Sequence, residues 1–419
     1  MFKKILILAM LGILTGCAWK QHPELWSGAT GQDQKGSKTA TVAVLLPLSG
    51  ESAKVGESMQ KASIMAAFEH KDTPLKVLFF DTESSTAGAE KSYQWALAQK
   101  PDLVVGPVFS KEVQAIKDMG ISVPLLSFTS DTKLVDDEVG TMAITVSEQV
   151  RQMVRHACSS NQMKLAVLSP DSKTGEIAMN ALSDAVTACP GMSLEKVSLY
   201  DAGTTNFTQA VEKIVPPLIN PKKKELTEEE KKELAKPMSE RAGVDAIILF
   251  EEGIKLRQLL SLLAFYDAGP KDIPVYALTV VKQINDNNAN FVYYADVDDT
   301  NYQNFARQYK AEFGQNPVRI ASQIYDVMGF VLDEVAAERP IGLNDLRKRE
   351  SYWGVDGLVR LNPDGTNRRS LLLKQKRGSR QAIIEPAESF FDDKEPEPEQ
   401  EVPDKQEDLF NLPATEPID

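Results

Sequence analysis

The sequence has few of the residues and motifs on which enzymes and metal proteins depend. Of its 419 residues, only three are histidine and three are cysteine. It contains no HExxH motif, no paired CxxC, no glycine-rich phosphate-binding loop and no EF-hand loop. No histidine has the sequence neighbours expected of a nucleophilic site. The sequence therefore favours a binding protein over an enzyme, and it indicates no catalytic residue, cofactor or metal.

Positive charge and long apolar runs are also scarce. Lysine and arginine number 47 against 60 aspartate and glutamate, which gives a net charge of -13. No basic stripe with interleaved aromatic residues occurs, which argues against a nucleic-acid partner, and none is expected. Beyond the first 17 residues, no stretch is apolar enough over a sufficient length to predict a membrane-spanning helix.

The N-terminal segment has the features of a targeting signal. Lys3 and Lys4 precede an apolar run over residues 5–14, which is too short to span a bilayer, and small residues then precede Cys17. This arrangement resembles the bacterial lipoprotein signal, which implies lipidation at Cys17 and an anchor in the membrane. An ordinary signal peptide with a chance cysteine is the alternative.

The segment after Cys17 is expected to be a tether. Ala18, rather than aspartate, favours release to the outer membrane, so we expect a lipid-anchored protein on the periplasmic side of the envelope. Residues 18–40 are polar and lack periodicity, which is typical of a flexible linker.

Export into an oxidising compartment makes the two other cysteines candidates for a disulfide. Cys158 and Cys189 are each expected to end a helix, one before and one after the strand at residues 164–168. Both helix ends then lie at the same edge of the sheet, so a Cys158–Cys189 disulfide is sterically reasonable. Two buried thiols are the alternative.

Residues 42–131 organise the first part of the chain. Four short apolar runs alternate with segments of helical periodicity, which predicts a parallel sheet that is buried on both faces. Each run ends in small polar residues, and ligands of such sheets collect at the carboxyl ends of the strands. The candidate ligand-binding residues on this wall are Ser49, Gly50, Asp81, Ser110, Ser127, Thr129 and Ser130.

A second αβ series over residues 143–295 predicts a second lobe with its own sheet. A charged insertion at residues 216–241 interrupts it, and Thr227 with Glu230 fits a capping box. We interpret this insertion as a solvated surface helix, and a binding role is the alternative.

The last third of the chain predicts three further features. Two helices are expected at residues 301–313 and 320–338, followed by a hairpin that pairs residues 357–361 with 370–375 around Asn-Pro-Asp-Gly. Residues 386–419 are rich in proline and acid, which indicates a disordered tail.

Several motifs together resemble a known family. They are VAVLLPLSGESAKVGESMQKASIMAAFE, VLFFDTESSTAGAEKSYQWALAQKPDLVVGPVFSKEV, VPLLSFTSD, DAIILFEEGIKLRQLLSLLAFYDAGPKDIPVYAL and GVDGLVRLNPDGTNRRSLLLKQ. In this order they resemble the type I periplasmic binding proteins of the leucine/isoleucine/valine-binding kind. With the lipoprotein signal, YQWAL and LAFYDAG, the chain is most similar to the short form of the penicillin-binding-protein activator lipoproteins.

The resemblance implies an α/β fold of two Rossmann-like lobes with parallel sheets, joined by a three-strand hinge. The expected division is lobe I at residues 41–143 and 299–352, lobe II at residues 144–298 and 353–385, and crossovers near Thr145, Asp296 and Trp353. Hinge closure around a ligand is expected of this fold.

The resemblance also suggests which residues hold a ligand. In amino-acid-binding relatives, positions that match Ser110 and residues 127–130 bind the ligand carboxylate, although Ser110 and Ser130 could instead cap helices. The position expected to bind the ligand ammonium falls near Thr279 and lacks charge. Glu251 and Glu252 could substitute for it, or could simply begin a helix.

Two functions follow from the resemblance. The first expectation is an envelope lipoprotein that binds and regulates a penicillin-binding protein, a peptidoglycan synthase. The alternative is the solute-binding receptor of an ABC importer, with amino acids or related small anions bound between the lobes.

Overall fold

The computed structural model describes residues 25–27, 39–216 and 226–391. The predicted targeting signal with Cys17, most of the tether and residues 392–419 lie outside the described residues.

Strands form two large sheets and one small sheet. The strands are β1 Leu25–Ser27, β2 Ala40–Leu46, β3 Leu75–Asp81, β4 Leu103–Val105, β5 Leu125–Ser127, β6 Val139–Thr141, β7 Lys164–Asp171, β8 Ser193–Asp201, β9 Ala246–Leu249, β10 Val275–Ala277, β11 Tyr293–Asp296, β12 Tyr352–Gly354, β13 Gly357–Leu361, β14 Asn367–Arg369, β15 Leu372–Arg377 and β16 Arg380–Glu385.

Helices connect most of the parallel strands. The α-helices are α1 Ala53–Glu69, α2 Thr86–Leu97, α3 Ser110–Met119, α4 Val146–Ser159, α5 Lys173–Thr187, α6 Thr208–Glu212, α7 Glu228–Leu234, α8 Met238–Ala242, α9 Gly253–Phe265, α10 Asp299–Phe313, α11 Ala321–Ala336 and α12 Leu343–Leu346. Short 3-10 helices cover Thr132–Leu134, Thr279–Gln283 and Asn287–Ala289.

Lobe I is built on a six-stranded sheet with the order β1-β3-β2-β4-β5-β6, in which β2 to β6 are parallel. Strand β2 is central, and Val42 to Leu46 are all completely buried. Val44 belongs to the core that α1, α10 and α11 cover, whereas Leu45 belongs to the core under α2 and α3. A continuous apolar run is therefore required, because both faces of the strand are covered.

Lobe II is built on a seven-stranded sheet with the order β16-β15-β11-β10-β9-β7-β8. Neighbouring Ile247 and Ile248 of β9 face opposite cores, as alternation along a strand requires. The two-lobed α/β architecture with a parallel sheet in each lobe is therefore as the sequence predicts.

The last strands differ from the sequence-based expectation. Strand β13 pairs with β14 across the Asn-Pro-Asp-Gly turn, whereas β15 pairs with β11 and β16 in the sheet of lobe II. Val359 and Leu361 of β13 are buried in the core of lobe I. Residues 357–369 thus pack with lobe I, and the third crossover lies between β14 and β15 rather than near Trp353. The turn signal predicted a hairpin correctly but did not identify its second strand.

Both ends of the described chain add contacts that the sequence did not indicate. Strand β1, inside the expected tether, pairs antiparallel with β3 at the edge of the sheet of lobe I. Beyond residue 385, Glu388 forms ion pairs with Arg155 and Arg368, and Phe391 is only 7% exposed. The packed body therefore extends to Phe391, six residues past the predicted boundary.

The charged insertion contains the expected capping box. Thr227 Oγ1 accepts the Glu230 amide at 3.1 Å, and Glu230 Oε2 accepts the Thr227 amide at 2.9 Å. This box begins α7, none of whose residues is buried. Residues 217–225 of the insertion lie outside the described residues.

The described residues lack two features. None of their helices combines the length and apolar character needed to cross a membrane. Among the same residues, no group of three or more His, Cys, Asp and Glu side chains is arranged to hold a metal ion.

Cys158 and Cys189 form a disulfide, the first of the two alternatives left open by the sequence. Their Cα atoms are 6.3 Å apart, with Cys158 in the last turn of α4 and Cys189 just after α5. Both cysteines pack in the core on one face of the sheet of lobe II. The bond therefore joins the ends of two helices that cover the same face.

Replacing both cysteines by serine should lower the free energy of unfolding by about 3 to 4 kcal/mol, because the bond closes a loop with a sequence separation of 31 residues. Urea denaturation of the two proteins measures the difference. Reductant should weaken the wild type toward the double variant and leave the variant unchanged. Equal stability of the two proteins without reductant would contradict the expectation.

Candidate ligand-binding cleft

The first wall of the cleft contains a pair of hydroxyl groups. Ser110 begins α3 after β4, and Thr129 follows β5, so neighbouring parallel strands bring them to the same sheet edge. Ser110 Oγ and Thr129 Oγ1 are 2.8 Å apart, and the Asp131 amide also donates to Thr129 Oγ1 at 3.1 Å. The sequence predicted both residues as ligand contacts, and the structure brings them together at the N-terminus of a helix, where an anion is favoured. Thr129 is 1% exposed, so Ser110 is the partly exposed member of the pair and Thr129 holds its hydroxyl from behind.

Asp81 supports the loops of this wall. Its Oδ1 accepts the backbone amides of Leu48, Ser49 and Glu83 at 2.9, 3.0 and 2.8 Å. Gly50 has a φ of +81°, and a Cβ there would lie 2.8 Å from the Glu83 carbonyl oxygen. Asp81 and Gly50, predicted as ligand contacts, therefore shape the wall through the backbone, and Ser49 lies exposed beside them.

Ser127 does not line the cleft as predicted. It is completely buried, and its hydroxyl donates to the Gly140 carbonyl oxygen at 2.8 Å. The side chain thus bonds to the neighbouring strand β6 within the sheet. Ser130, three residues further along the chain, is exposed at the strand end.

Glu112 is a buried carboxyl group behind this wall. It lies in the first turn of α3, is 2% exposed, and its Oε1 accepts the Thr82 hydroxyl at 2.9 Å. Burial raises the pKa of Glu112 to about 7, and the hydrogen bond from Thr82 opposes that rise. Glu112 therefore carries less negative charge at neutral pH than an exposed glutamate does, which keeps this wall suited to an anion.

The second wall contains Glu251 and Glu252, which follow β9. Glu251 is 8% exposed, and its Oε2 accepts the Tyr200 hydroxyl at 3.0 Å. Burial and the Glu251 carboxylate raise the pKa of the Tyr200 hydroxyl. Glu252 is exposed and precedes the first turn of α9 without capping it through its side chain. The Thr279 hydroxyl donates a hydrogen bond to Gln149 Oε1 at 2.8 Å, so it connects to another residue of lobe II.

Ion pairs join the two walls. Lys173 at the start of α5 pairs with Asp131 of lobe I, and Glu176 one turn later pairs with Lys133 of lobe I. Each lobe thus contributes one cation and one carboxylate, and we call these four residues the rim clasp. Asp131 is 4% exposed whereas the Lys173 side chain is 64% exposed, so the carboxylate of this contact is shielded from water and the cation is not.

A cavity adjoins the clasp. It measures about 460 Å³ and lies against α2 and α3 of lobe I, with Lys173 as its contribution from lobe II. Its charged lining consists of Lys111 and Lys173 together with the carboxylates Glu90 and Asp118, and Ser110 lies among them. Sequence reasoning missed Lys173, although it follows the end of β7, where the strand-end rule applied to lobe II would have found it.

Comparison with known proteins identifies the class of fold. Residues 39–215 match the family model described as periplasmic binding protein. No curated protein matches the chain. The matched residues include all of β2 to β8 and therefore parts of both walls.

Several solved structures share the whole architecture. A protein from Rhodospirillum rubrum, assigned to a branched-chain amino acid ABC transporter, has a TM-score of 0.65 at 18% identity, covering 83% of this chain and 100% of its own. A leucine-binding protein from Thermotoga maritima gives 0.53 at 15% identity, covering 84% and 99%. A solute-binding protein of an ABC transporter from Rhodopseudomonas palustris, in complex with 3,4-dihydroxybenzoic acid, gives 0.55 at 16% identity, covering 85% and 98%. The fold is that of the type I periplasmic binding proteins.

Glu112→Gln should reduce the pH dependence of stability. The folded-state pKa of about 7 lies above that of an unfolded glutamate, so the free energy of unfolding should fall as pH rises from about 4 to about 7, by at most about 1.4 kcal/mol per pH unit. Glutamine cannot ionise and removes this contribution. Urea denaturation at pH 5, 6, 7 and 8 measures both slopes.

The comparison of wild type with Glu112→Gln isolates the contribution of Glu112. Burial and the neighbouring Asp356 also raise the pKa of Asp326, but Asp326 is present in both proteins and contributes equally to both slopes. Glu51→Gln, at an exposed position, serves as the matched control and should keep the slope of the wild type. Equal slopes in wild type and Glu112→Gln would show that Glu112 is ionised in the folded protein near pH 5.

Reversing one charge of the rim clasp should favour separation of the lobes. Lys173→Glu places a carboxylate against Asp131, and such a like-charge contact should disfavour the joined arrangement by about 1 to 3 kcal/mol. The radius of gyration from small-angle X-ray scattering should increase. Adding Asp131→Lys should restore it, whereas Lys271→Glu, at an exposed site, should leave it unchanged. An unchanged radius in Lys173→Glu would argue against the clasp.

Proposed function

We propose that this protein is a solute-binding protein that holds a small carboxylate-containing solute between its two lobes. The observation that carries the proposal is the Ser110–Thr129 hydroxyl pair at the N-terminus of α3. Hydroxyl groups and helix N-termini both stabilise a carboxylate without a neighbouring fixed cation.

Lys173 supports the same solute class from the opposite lobe. It lines the cavity that also contains Ser110, and it is 64% exposed in its side chain, so its ammonium group can reach a bound anion. A solute that touches Ser110 and Lys173 contacts both lobes at once. Such a solute binds the joined lobes more tightly than the separated lobes, which is the requirement for ligand-driven closure.

The second wall guides the choice within this class. Glu251 is bonded to Tyr200, and position 279 carries no charge. An ammonium group of an amino acid would have to use Glu251 or exposed Glu252. Aromatic and aliphatic carboxylates without an amine need neither group, and they belong in the panel beside amino acids.

Thermal unfolding across a panel of solutes tests the proposal. The panel contains leucine, isoleucine, benzoate and 3,4-dihydroxybenzoate, each with its decarboxylated analogue. A solute at 100 times its Kd should add about 2.7 kcal/mol to the free energy of unfolding. The stabilisation should require the carboxylate, and Ser110→Ala and Thr129→Val should each weaken binding roughly tenfold, which corresponds to the loss of about 1.4 kcal/mol.

Ser379→Ala is the matched control, because Ser379 lies exposed in the turn between β15 and β16. It should bind like the wild type. Failure of every carboxylate to stabilise the protein would contradict solute binding. Stabilisation that persists equally in Ser110→Ala and Thr129→Val would place the site elsewhere.

The proposed location is the cell envelope, with a lipid anchor at Cys17. The narrower function expected from the resemblance, regulation of a penicillin-binding protein, stays a prediction. The structure of the same fold from Rhodopseudomonas palustris is named as a solute-binding protein of an ABC transporter, which favours solute binding over synthase regulation. A panel without any effect would reverse that preference.

A further inference from the structure

A second concave surface lies outside the cleft. It runs between α4 and α5 of lobe II, extends to residues of lobe I and measures about 650 Å³. Its floor is apolar, formed by Val154, Ile177, Ala181 and Ala185 with the Cys158–Cys189 disulfide at one end. We call this surface the α4–α5 groove.

The groove has the size and shape of an acceptor for a peptide segment. Ligand pockets commonly enclose about 300 to 1,000 Å³, and apolar side chains of a peptide dock in grooves between helices. Small alanines at positions 181 and 185 let an incoming chain approach closely. The other end of the groove is formed by Lys133 and Asp364 of lobe I, so an occupant would touch both lobes.

One edge of the groove is basic. Arg151 and Arg155 project from α4 and line it, and the Arg151 side chain is 53% exposed. Arg151 is paired with Glu148, but a guanidinium group carries five donors and can bind a second carboxylate. The opposite edge includes Asp184, so acidic groups of an occupant are favoured on the α4 side.

The described C-terminal chain already binds α4 through its carboxylates. Glu385 Oε1 is 2.6 Å from His156 Nδ1, and Glu388 pairs with Arg155, which lines the groove. Three residues later Phe391 stacks on Arg368, with 4.5 Å between the guanidinium carbon and the ring centroid. The described chain therefore ends beside the basic edge of the groove.

The residues that follow match this surface in charge and in apolar content. Residues 392–419 contain eleven acidic residues and two lysines. Within them, residues 407–412 read Glu-Asp-Leu-Phe-Asn-Leu, which sets two carboxylates directly before three large apolar residues. The sequence supplies an acidic and apolar segment, and the structure supplies an apolar groove with Arg151 and Arg155 along its α4 edge. The carboxylates in the lining are Glu148, Asp184 and Asp364, so the charge match is confined to that edge.

The chain is long enough to connect them. Leu409 follows Phe391 by 18 positions, which corresponds to an average span of about 23 Å for a flexible chain and at most about 60 Å when extended. Glu388, three residues before Phe391, pairs with Arg155 of the groove lining, so this part of the chain begins close to the groove. Reach therefore does not limit an intramolecular contact.

We propose that residues 408–412 of this chain occupy the α4–α5 groove, with Phe410 against the apolar floor and Asp408 beside Arg151. The site is separate from the Ser110–Thr129 pair, so it does not depend on the proposed solute binding. Occupancy bridges the two lobes through Lys133 and Asp364.

Photo-cross-linking in the full chain tests this inference. Phe410 is replaced by p-benzoylphenylalanine, and the irradiated monomer is digested and analysed by mass spectrometry. Cross-links should fall on peptides that contain residues 151–159 and 173–188. The same photoreactive residue at Ile418, in the same acidic segment, serves as the matched control and should give no enrichment there.

Two groove variants make the test specific. Ala181→Trp fills the floor and should abolish the cross-links from position 410, and Arg151→Glu should reduce them without filling the groove. Melting temperatures verify that the variants fold. If one variant fails to fold, the other is sufficient to test the inference. Cross-links to other regions, cross-links between two copies of the chain, or no cross-links above those of the Ile418 control would each overturn the inference.

Discussion

A buried ionic network in the first turns of α11 attaches residues 355 and 356, just before β13, to lobe I. Asp356 is completely buried, and its carboxylate accepts Arg319 at 2.7 Å and the Ser322 hydroxyl at 2.8 Å. Asp326 of α11 accepts the backbone amides of Val355 and Asp356 at 2.6 and 3.1 Å. Two carboxylates this close are tolerated only because arginines and amides surround them, and removing one partner of such a network is costly. The network holds β13 against lobe I until the chain crosses to β15.

The sequence predicts the body of the fold well because burial leaves a direct pattern. Residues of β2 must be apolar without interruption, since helices cover both faces, and the four runs of lobe I stand out for that reason. The segments that the sequence missed lack such a pattern. Strand β14 is Asn-Arg-Arg, and β1 is three residues long in a polar stretch. These strands form by backbone hydrogen bonds to a neighbouring strand, and such bonds leave no periodic pattern of apolar residues in the sequence.

The positions of the candidate residues at the strand ends were predictable from the sequence, but the directions of their side chains were not. The strand-end rule found Ser110 and Thr129 because parallel strands end at the same edge. It also included Ser127, whose hydroxyl bonds to Gly140 within the sheet. Successive side chains of a strand point to opposite faces, and the last residue of a short strand can belong to either. The ion pairs of Lys173 and Lys133 across the cleft depend on how the two lobes are arranged relative to each other, and a local sequence pattern does not predict that arrangement.

Lys173 connects the clasp with the proposed solute. Its partner Asp131 also accepts the backbone amide of Lys133 at 3.3 Å, while the Asp131 amide donates to Thr129. Asp131 and the hydroxyl pair therefore belong to one hydrogen-bonded unit, and a carboxylate bound at Ser110 would share Lys173 with Asp131. If the proposed solute binds there, the shared cation would make closure and solute binding interdependent, because a ligand shifts such an equilibrium only by its different affinity for the two arrangements. The carboxylates of Asp131 and of the solute would then compete for the ammonium group of Lys173. This competition would limit the affinity for the solute, and it would also make lobe closure depend on whether the solute is bound.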